Sequence, residues 1–149
     1  MKKLIAALTL VSGLSSTAFG SYAGPILVKA QDAGYTPPEH HYAKQCEIYL
    51  NKVVKIARFG GEGSALVKEE RPISLEASVL SLIETAQAGP FKEEVGPTDI
   101  PGTAIYGYKI LPNDAIEKVL LFQVGSGSSV TNENPAQVTL VNIVRHLCD

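Results

Sequence analysis

Two cysteines, Cys46 and Cys148, are the residues whose type and spacing most clearly predict a chemistry. They are the only cysteines in the sequence, and they lie far apart in it. Redox-active pairs typically have two residues between their cysteines, so this spacing favours a structural disulfide over a catalytic dithiol. In the chain-entropy model, closing a loop of about 100 residues stabilises a fold by about 4–5 kcal/mol. The sequence therefore predicts an oxidised Cys46–Cys148 bond, which is typical of proteins outside the cytoplasm.

The histidines do not show the spacing of a metal site. There are three of them, His40, His41 and His146. A zinc site requires three or four ligands at fixed geometry, whereas adjacent histidines on an extended segment point to opposite sides. We therefore predict no metal and no other cofactor.

Serine and carboxylate catalysis are also poorly supported by the sequence. The nucleophile-elbow pattern GxSxG is absent, and the glycine–serine segment 125–129 lacks the lysine of a nucleotide-binding loop. The carboxylates of Glu69-Glu70 and Glu93-Glu94 are sequence neighbours, which generally diverge, whereas glycoside hydrolysis requires two carboxyls that face one bond. These patterns do not establish an enzyme, and together they favour a protein without catalytic activity.

Residues 89–102 form the segment best suited to binding. The sequence GPFKEEVGPTDIPG contains three prolines, and a stiff loop loses less entropy when it docks. Loops of this length in compact domains are often functional or disordered. The residues that this loop would present to a partner are Phe91, Glu93, Glu94, Asp99 and Ile100. The alternative is a crossover that only carries the chain to the next hairpin.

The start of the chain predicts export. Met1-Lys2-Lys3 is basic, residues 4–14 are apolar, and small residues follow, which allows cleavage after Gly20 or after Ala23. The apolar run is about half as long as a bilayer-spanning helix. We therefore expect residues 1–20 to be a signal peptide and the mature protein to be periplasmic or extracellular. The basic start and the lack of an Asn-x-Ser/Thr acceptor favour a bacterial origin.

Net charge and chain length limit the function classes and the number of domains that the sequence allows. Without residues 1–20, eleven basic and fifteen acidic residues remain, a net charge of −4. Nucleic-acid-binding domains usually have the opposite balance, with clustered Lys and Arg. No other run is long and apolar enough to predict a membrane span. The length suits one domain, which we divide into an extended lead-in, 21–45, and a single α+β domain, 46–149.

Two hairpins are predicted from β-branched runs and turn residues. Residues 46–59 and 64–70 would be strands joined at the glycine cluster 60–63. Residues 103–110 and 118–124 would form the second hairpin, and the apolar stretch in 118–124 favours the centre of the sheet. Within the lead-in, we expect Ile26-Leu27-Val28 to add no more than a short edge strand.

Two segments have the apolar spacing of helices. The first would begin at Ser74, whose hydroxyl suits a helix cap, and would end before Gly89-Pro90. The second would cover 136–147, with Asn134 as cap and Gln137 as its reciprocal partner. Because this second segment is rich in β-branched residues, a strand is the alternative.

The predicted architecture is an α+β fold: an antiparallel sheet of about four strands in two hairpins, two helices on one face, and a single disulfide. The predicted function is a small exported, non-enzymatic binding or inhibitory protein that acts on an exported protein or a cell-envelope component. The alternative is a small periplasmic hydrolase without a recognisable motif. A third reading is a structural domain whose partner is another copy of itself, and the sequence leaves the oligomeric state open.

Overall fold

Eight antiparallel strands form one sheet in the part of the chain that the computed structural model describes, which is residues 22–34, 42–60, 65–86, 89–125 and 127–149. In chain order the strands are β1 Pro25–Asp32, β2 Ala43–Tyr49, β3 Val53–Phe59, β4 Ala65–Pro72, β5 Phe91–Val95, β6 Thr103–Ile110, β7 Ile116–Gly125 and β8 Ser128–Asn132. The helices are α1 Ser78–Thr85 and α2 Pro135–Cys148. The order across the sheet is β4-β3-β2-β1-β6-β7-β8-β5. The predicted signal peptide and the pair His40 and His41 lie outside the described residues.

The predicted α+β fold with about four strands is wrong, because the described chain is mostly sheet. Segment 46–59, expected to be one strand, is divided into β2 and β3 by a turn at Lys52, whose φ of 62° reverses the chain. Within segment 125–129, Gly125 at the end of β7 pairs with Ser128 at the start of β8, so these two strands are adjacent. Periodicity located the apolar runs but did not show where short turns interrupt them.

The expectation that Ile26-Leu27-Val28 adds no more than a short edge strand is wrong, because these residues belong to β1. It pairs with β2 on one side and β6 on the other, so it is an internal strand and not an edge strand. Four consecutive residues, Ile26 to Lys29, are buried. A short continuous apolar run is typical of a strand buried on both faces, so the stretch expected at an edge in fact lies in the middle of the sheet.

The second helix forms as predicted, and the strand alternative is excluded. The Asn134 side chain accepts a hydrogen bond from the Ala136 N–H at 3.0 Å, and Pro135 occupies the first turn. The expected reciprocal bond from Gln137 is replaced, because the Asn134 N–H donates to Asn132 Oδ1 at 3.2 Å. The cap is therefore completed by the end of β8 and not by the helix itself.

The first helix is shorter than predicted. It begins at Ser78 and not at Ser74, and its N-cap, Ala77, makes no side-chain cap hydrogen bond. Ser78 Oγ instead donates to Glu76 Oε2 at 3.1 Å. The apolar stripe still holds, since Val79, Ile83 and Ala86 are buried. Packing of this stripe, and not a terminal cap, therefore stabilises α1.

The core lies between the two helices, which pack against each other, and strands β1, β3, β6 and β7. Pairing in register aligns its residues from strand to strand, as in the row Val54, Ile48, Leu27 and Gly107. Its largest fully buried apolar side chains are Ile26, Leu27, Ile48, Val54, Ile105, Val119, Leu121, Leu140 and Val144.

The last turn of α2 is held to the sheet by the predicted disulfide and by three cationic side chains. Cys148 is bonded to Cys46 of β2, and each cysteine is 1% exposed. Lys44 Nζ donates to the Cys148 carbonyl at 2.7 Å, and Arg71 Nη2 donates to the Leu147 carbonyl at 2.5 Å. Lys29, only 4% exposed, forms an ion pair with Asp149. Cations suit the negative end of a helix and satisfy its last carbonyls.

Loss of the disulfide is expected to destabilise the protein by about 2–5 kcal/mol. Urea unfolding of the oxidised protein and of a Cys46→Ser/Cys148→Ser variant would measure the difference. Reductant should lower the midpoint of the parent and leave that of the variant unchanged, because the variant has no bond to break. Coincident transitions for parent and variant would contradict a structural role.

The Lys29–Asp149 pair is expected to respond asymmetrically to mutation. Asp149→Ala leaves the buried Lys29 ammonium without its carboxylate partner, and we expect a loss of about 1–3 kcal/mol. Lys29→Met removes the buried charge and retains the apolar stem, so its cost should be less than about 1 kcal/mol. Urea unfolding of both variants tests this, and a larger loss for Lys29→Met would contradict it.

Candidate functional site

The face of the sheet opposite the two helices, which we call the open face, carries the polar and aromatic residues that could form a site. Side chains alternate along each strand, so residues next to the core positions fall on this face. Strands β1, β2 and β6 place on it Val28, Ala30, Gln45, Glu47, Tyr49, Ala104, Tyr106 and Tyr108. No helix of the described chain covers it.

Four tyrosines, which we call the tyrosine cluster, lie near one end of the open face: Tyr22, Tyr49, Tyr106 and Tyr108. Tyr106 and Tyr108 are two residues apart on β6, so their side chains share this face. Tyr49 lies on β2, which is separated from β6 by β1. Tyr22 precedes β1, and its hydroxyl donates to the Pro25 carbonyl at 3.0 Å. The cluster therefore spans three adjacent strands.

The charged residues around the cluster are held by neighbours within the fold. Glu47 accepts hydrogen bonds from the Tyr49 hydroxyl at 2.6 Å and from Gln45 Nε2 at 2.7 Å. Lys55 Nζ lies 5.1 Å from the centre of the Tyr49 ring and 3.5 Å from a carboxylate oxygen of Glu70. These contacts fix the side chains before any ligand arrives, which lowers the entropy lost on binding.

Tyr106 has a cationic neighbour of its own. Lys118 Nζ of β7 lies 3.7 Å from the centre of the Tyr106 ring, within the range of a cation–π interaction. The cluster thus has a lysine at each side, Lys55 on β3 and Lys118 on β7.

Two of the tyrosines are held in the protonated form. Burial, followed by the hydrogen bond to Glu47 and the charge of that carboxylate, raises the pKa of Tyr49 to about 12. Burial also raises the pKa of Tyr22, with smaller contributions from Tyr108 and Glu47. A phenol that stays protonated is a hydrogen-bonding group and an apolar surface, not a base or a nucleophile. Tyr22 and Tyr49 are therefore suited to recognition more than to proton transfer.

A groove of about 740 Å³ lies at the other end of β1 and β6. Its floor includes Ala30 and Ala104, which are paired in register. Asp32 shapes one wall, because its Oδ1 accepts from the Gly34 N–H at 2.8 Å and the Gly102 N–H at 3.0 Å. The carboxylate of Asp32 is thereby used to hold two chain segments together.

The predicted binding residues are divided between two places, and the expected 89–102 loop is wrong in its first half. Phe91, Glu93 and Glu94 belong to strand β5, at the edge of the sheet. Asp99 and Ile100 lie on the following connection and line the 740 Å³ groove. The prolines that suggested a loop flank β5 on either side and do not interrupt it.

A second groove, of about 470 Å³, lies between the two helices. It is lined in part by Ser74, Glu76 and His146, which are residue types that a hydrolase could use. The described structure shows no hydrogen bond between Ser74 and His146, and Glu76 instead accepts from Ser78. A nucleophile requires a base within hydrogen-bonding reach, and the hydrogen bonds of these described residues do not pair Ser74 with one. No group of three or more His, Cys, Asp or Glu among the described residues is placed to hold a metal ion.

The tyrosine cluster was not predicted from the sequence, although the residue spacing within each of its strands is visible there. The spacings Glu47-x-Tyr49 and Tyr106-x-Tyr108 place each pair on one face of a strand. The pairing of β1 between β2 and β6 brings the two pairs together. That pairing could not be predicted, because β1 was assigned to the lead-in.

The raised pKa of Tyr49 predicts a late step in an alkaline titration. One phenol should ionise near pH 12 instead of near its ordinary value of 10.0, as followed by the ultraviolet absorbance of phenolate. Tyr49→Phe should remove this step, and Tyr42→Phe should retain it. In the unfolded chain Tyr49 ionises at its ordinary pKa of 10.0, whereas in the folded chain its pKa is about 12. The stability that the protonated Tyr49 contributes is therefore complete below about pH 10 and is lost as the pH rises towards 12. A parent titration without the late step would contradict the Tyr49–Glu47 contact.

No family model matches the sequence, and no curated protein matches it.

Among the described helices, none combines the length and apolar character required to cross a membrane.

Proposed function

We propose that the protein is a small exported, non-enzymatic binding or inhibitory protein, and that it recognises an exported protein through the tyrosine cluster on its open face. The observation that carries this proposal is the group of four tyrosines on a sheet face that no described helix covers. Tyrosine is enriched at protein interfaces because its ring buries apolar area while its hydroxyl finds a polar partner.

The charge pattern of the open face supports a protein partner over a highly charged polymer. Glu47 is matched by two donors, and Lys55 by Glu70. A nucleic acid would instead require a surplus of cations. A face whose charges are locally balanced and whose anchors are aromatic is typical of a protein–protein interface.

Rigidity of the cluster is the second support. Tyr49 and Tyr106–Tyr108 stand on internal strands, and Tyr22 is tied to the chain by its bond to Pro25. Side chains that are already ordered lose little entropy when a partner binds. Such a site can bind tightly without the loop that the sequence suggested.

Export is the part of the proposal that rests on the cysteines and on the predicted signal peptide. A buried disulfide between β2 and α2 is compatible with an oxidising compartment. The predicted partner would share that compartment, either the periplasm or the medium.

The proposal is tested by quantitative capture with matched baits. The oxidised protein would be immobilised as the parent, as Tyr106→Ala and as Tyr42→Ala, and exposed to envelope extract and to culture fluid. Tyr42 is 53% exposed, and its alternation with Lys44 places it on the helix side, so it controls for loss of an exposed tyrosine elsewhere. We expect one protein in stoichiometric yield from the parent and Tyr42→Ala baits.

Tyr106→Ala should weaken this capture by about 10-fold or more, the effect expected for an aromatic anchor. Equal thermal unfolding midpoints of the three baits would show that the loss is not due to misfolding. Capture that is unchanged by Tyr106→Ala, or no stoichiometric partner for the folded parent, would overturn the proposal.

A further inference from the structure

Strand β5 is an edge strand whose outward backbone groups are all able to form hydrogen bonds. Its inner ladder to β8 is continued by the Gly96 N–H, which donates to the Gly127 carbonyl at 3.1 Å, and by the Glu133 N–H, which donates to the Pro90 carbonyl at 3.0 Å. The backbone N–H and C=O groups of the even-numbered β5 residues therefore point inward, towards β8. Because backbone groups alternate along an antiparallel strand, those of Phe91, Glu93 and Val95 point outward, where no strand of the described chain pairs with them.

The opposite edge of the sheet is protected. The Ile73 N–H donates to the Lys52 carbonyl at 2.9 Å, so the backbone groups of the odd-numbered β4 residues point inward, towards β3. The backbone groups of Lys68, Glu70 and Pro72 therefore point outward. Proline has no N–H to offer a neighbouring strand, so Pro72 interrupts the donors of the β4 edge. The two edges of the described sheet therefore differ, and only β5 presents an unbroken set of donors and acceptors.

The sequence of β5, Phe-Lys-Glu-Glu-Val, is complementary to itself when two copies run antiparallel. With Glu93 on a two-fold axis, Lys92 of each copy lies opposite Glu94 of the second copy, and Phe91 lies opposite Val95. Phe91 is 41% exposed and Val95 is 97% exposed, so the pairing would cover both apolar side chains. We propose that the protein self-associates by antiparallel pairing of two β5 edges into one continuous sheet.

The register of this pairing follows from charge. A shift by two residues in either direction would bring Lys92 opposite Lys92, or Glu94 opposite Glu94, and like charges directly opposite destabilise a pair. In the centred register the Lys92–Glu94 pairs are non-hydrogen-bonded pairs, in which the side chains approach most closely. The one unfavourable contact is Glu93 opposite Glu93 on the axis.

Within one chain, Lys92 Nζ already lies 2.7 Å from Glu94 Oε1. A charge reversal on a single chain therefore disturbs both this bridge and the proposed interface, and an informative test must separate them. Lys92→Glu leaves a strand with only acidic residues at these positions, and Glu94→Lys leaves one with only lysines. Neither variant can restore its own internal bridge, but each is complementary to the other across the two-fold axis.

The experiment is sedimentation velocity on the oxidised, exported protein at concentrations from about 10 µM to about 1 mM, the range suited to a small interface. The parent should shift from monomer to dimer across the series. Lys92→Glu and Glu94→Lys should each remain monomeric, and an equimolar mixture of the two should form heterodimers. Lys68→Glu, which makes the same charge change at the β4 edge, should dimerise as the parent does.

Two variants at the axis complete the test. Glu93→Pro removes an outward donor without removing an inward one, so it should abolish the dimer while the unfolding midpoint shows that the chain is folded. Glu93→Gln removes the repulsion on the axis and should increase the association constant several-fold. A parent that stays monomeric throughout, a dimer that survives Glu93→Pro, or a mixture of charge variants that does not associate would each overturn the proposal. A parent that is monomeric but binds a different strand-forming protein through β5 would show that the edge serves another chain.

Discussion

The attachment of the C-terminal end of α2 to the sheet is the constraint on which the rest of the structure depends. A helix of 14 residues that contains several β-branched side chains has little stability of its own. Its last turn is bonded covalently to β2 and receives side chains from β1, β2 and β4. Because four contacts from three strands meet at one helix end, the position of α2 also fixes the position of those strands relative to one another.

The length of α2 limits how much of the sheet it can cover. A 14-residue helix is about 21 Å long, whereas eight strands at about 4.8 Å per step span about 34 Å. Both helices pack on one face, against internal strands. The opposite face and the β5 edge must therefore be stabilised by their own side chains, and these are the places where the tyrosine cluster and the self-complementary strand lie.

The parts of the fold that could be predicted are those in which one local signal decides the outcome. The spacing of two cysteines predicted the disulfide, and Asn134-Pro135 before an apolar stripe predicted α2. Residues 103–110 were assigned as a strand with the bounds that β6 has. In each case neighbouring residues carried the information, whether as a cap, a turn or a periodicity.

The strand count and the candidate site could not be predicted because they depend on pairing between distant segments. Strand β1 lies in a stretch that was expected to be an extended lead-in. It is buried because β2 and β6 flank it. Strand β5 lies in a proline-rich stretch, and its five residues become a strand because β8 supplies the ladder. Tyr49 and Tyr106 lie far apart in the sequence, and only the insertion of β1 between their strands makes them neighbours.

The difference between the two sheet edges determines what kind of assembly β5 pairing produces. If both edges could pair, each added copy would present a new edge and the assembly would grow into a fibre. Pro72 lacks the N–H that a neighbouring strand would need at β4, so association through β5 uses the same surface on both copies and ends at two. The open face is perpendicular to this contact in each copy, since edges pair within the plane of the sheet. Self-association would therefore leave both tyrosine clusters accessible, and a dimer could hold two copies of its partner.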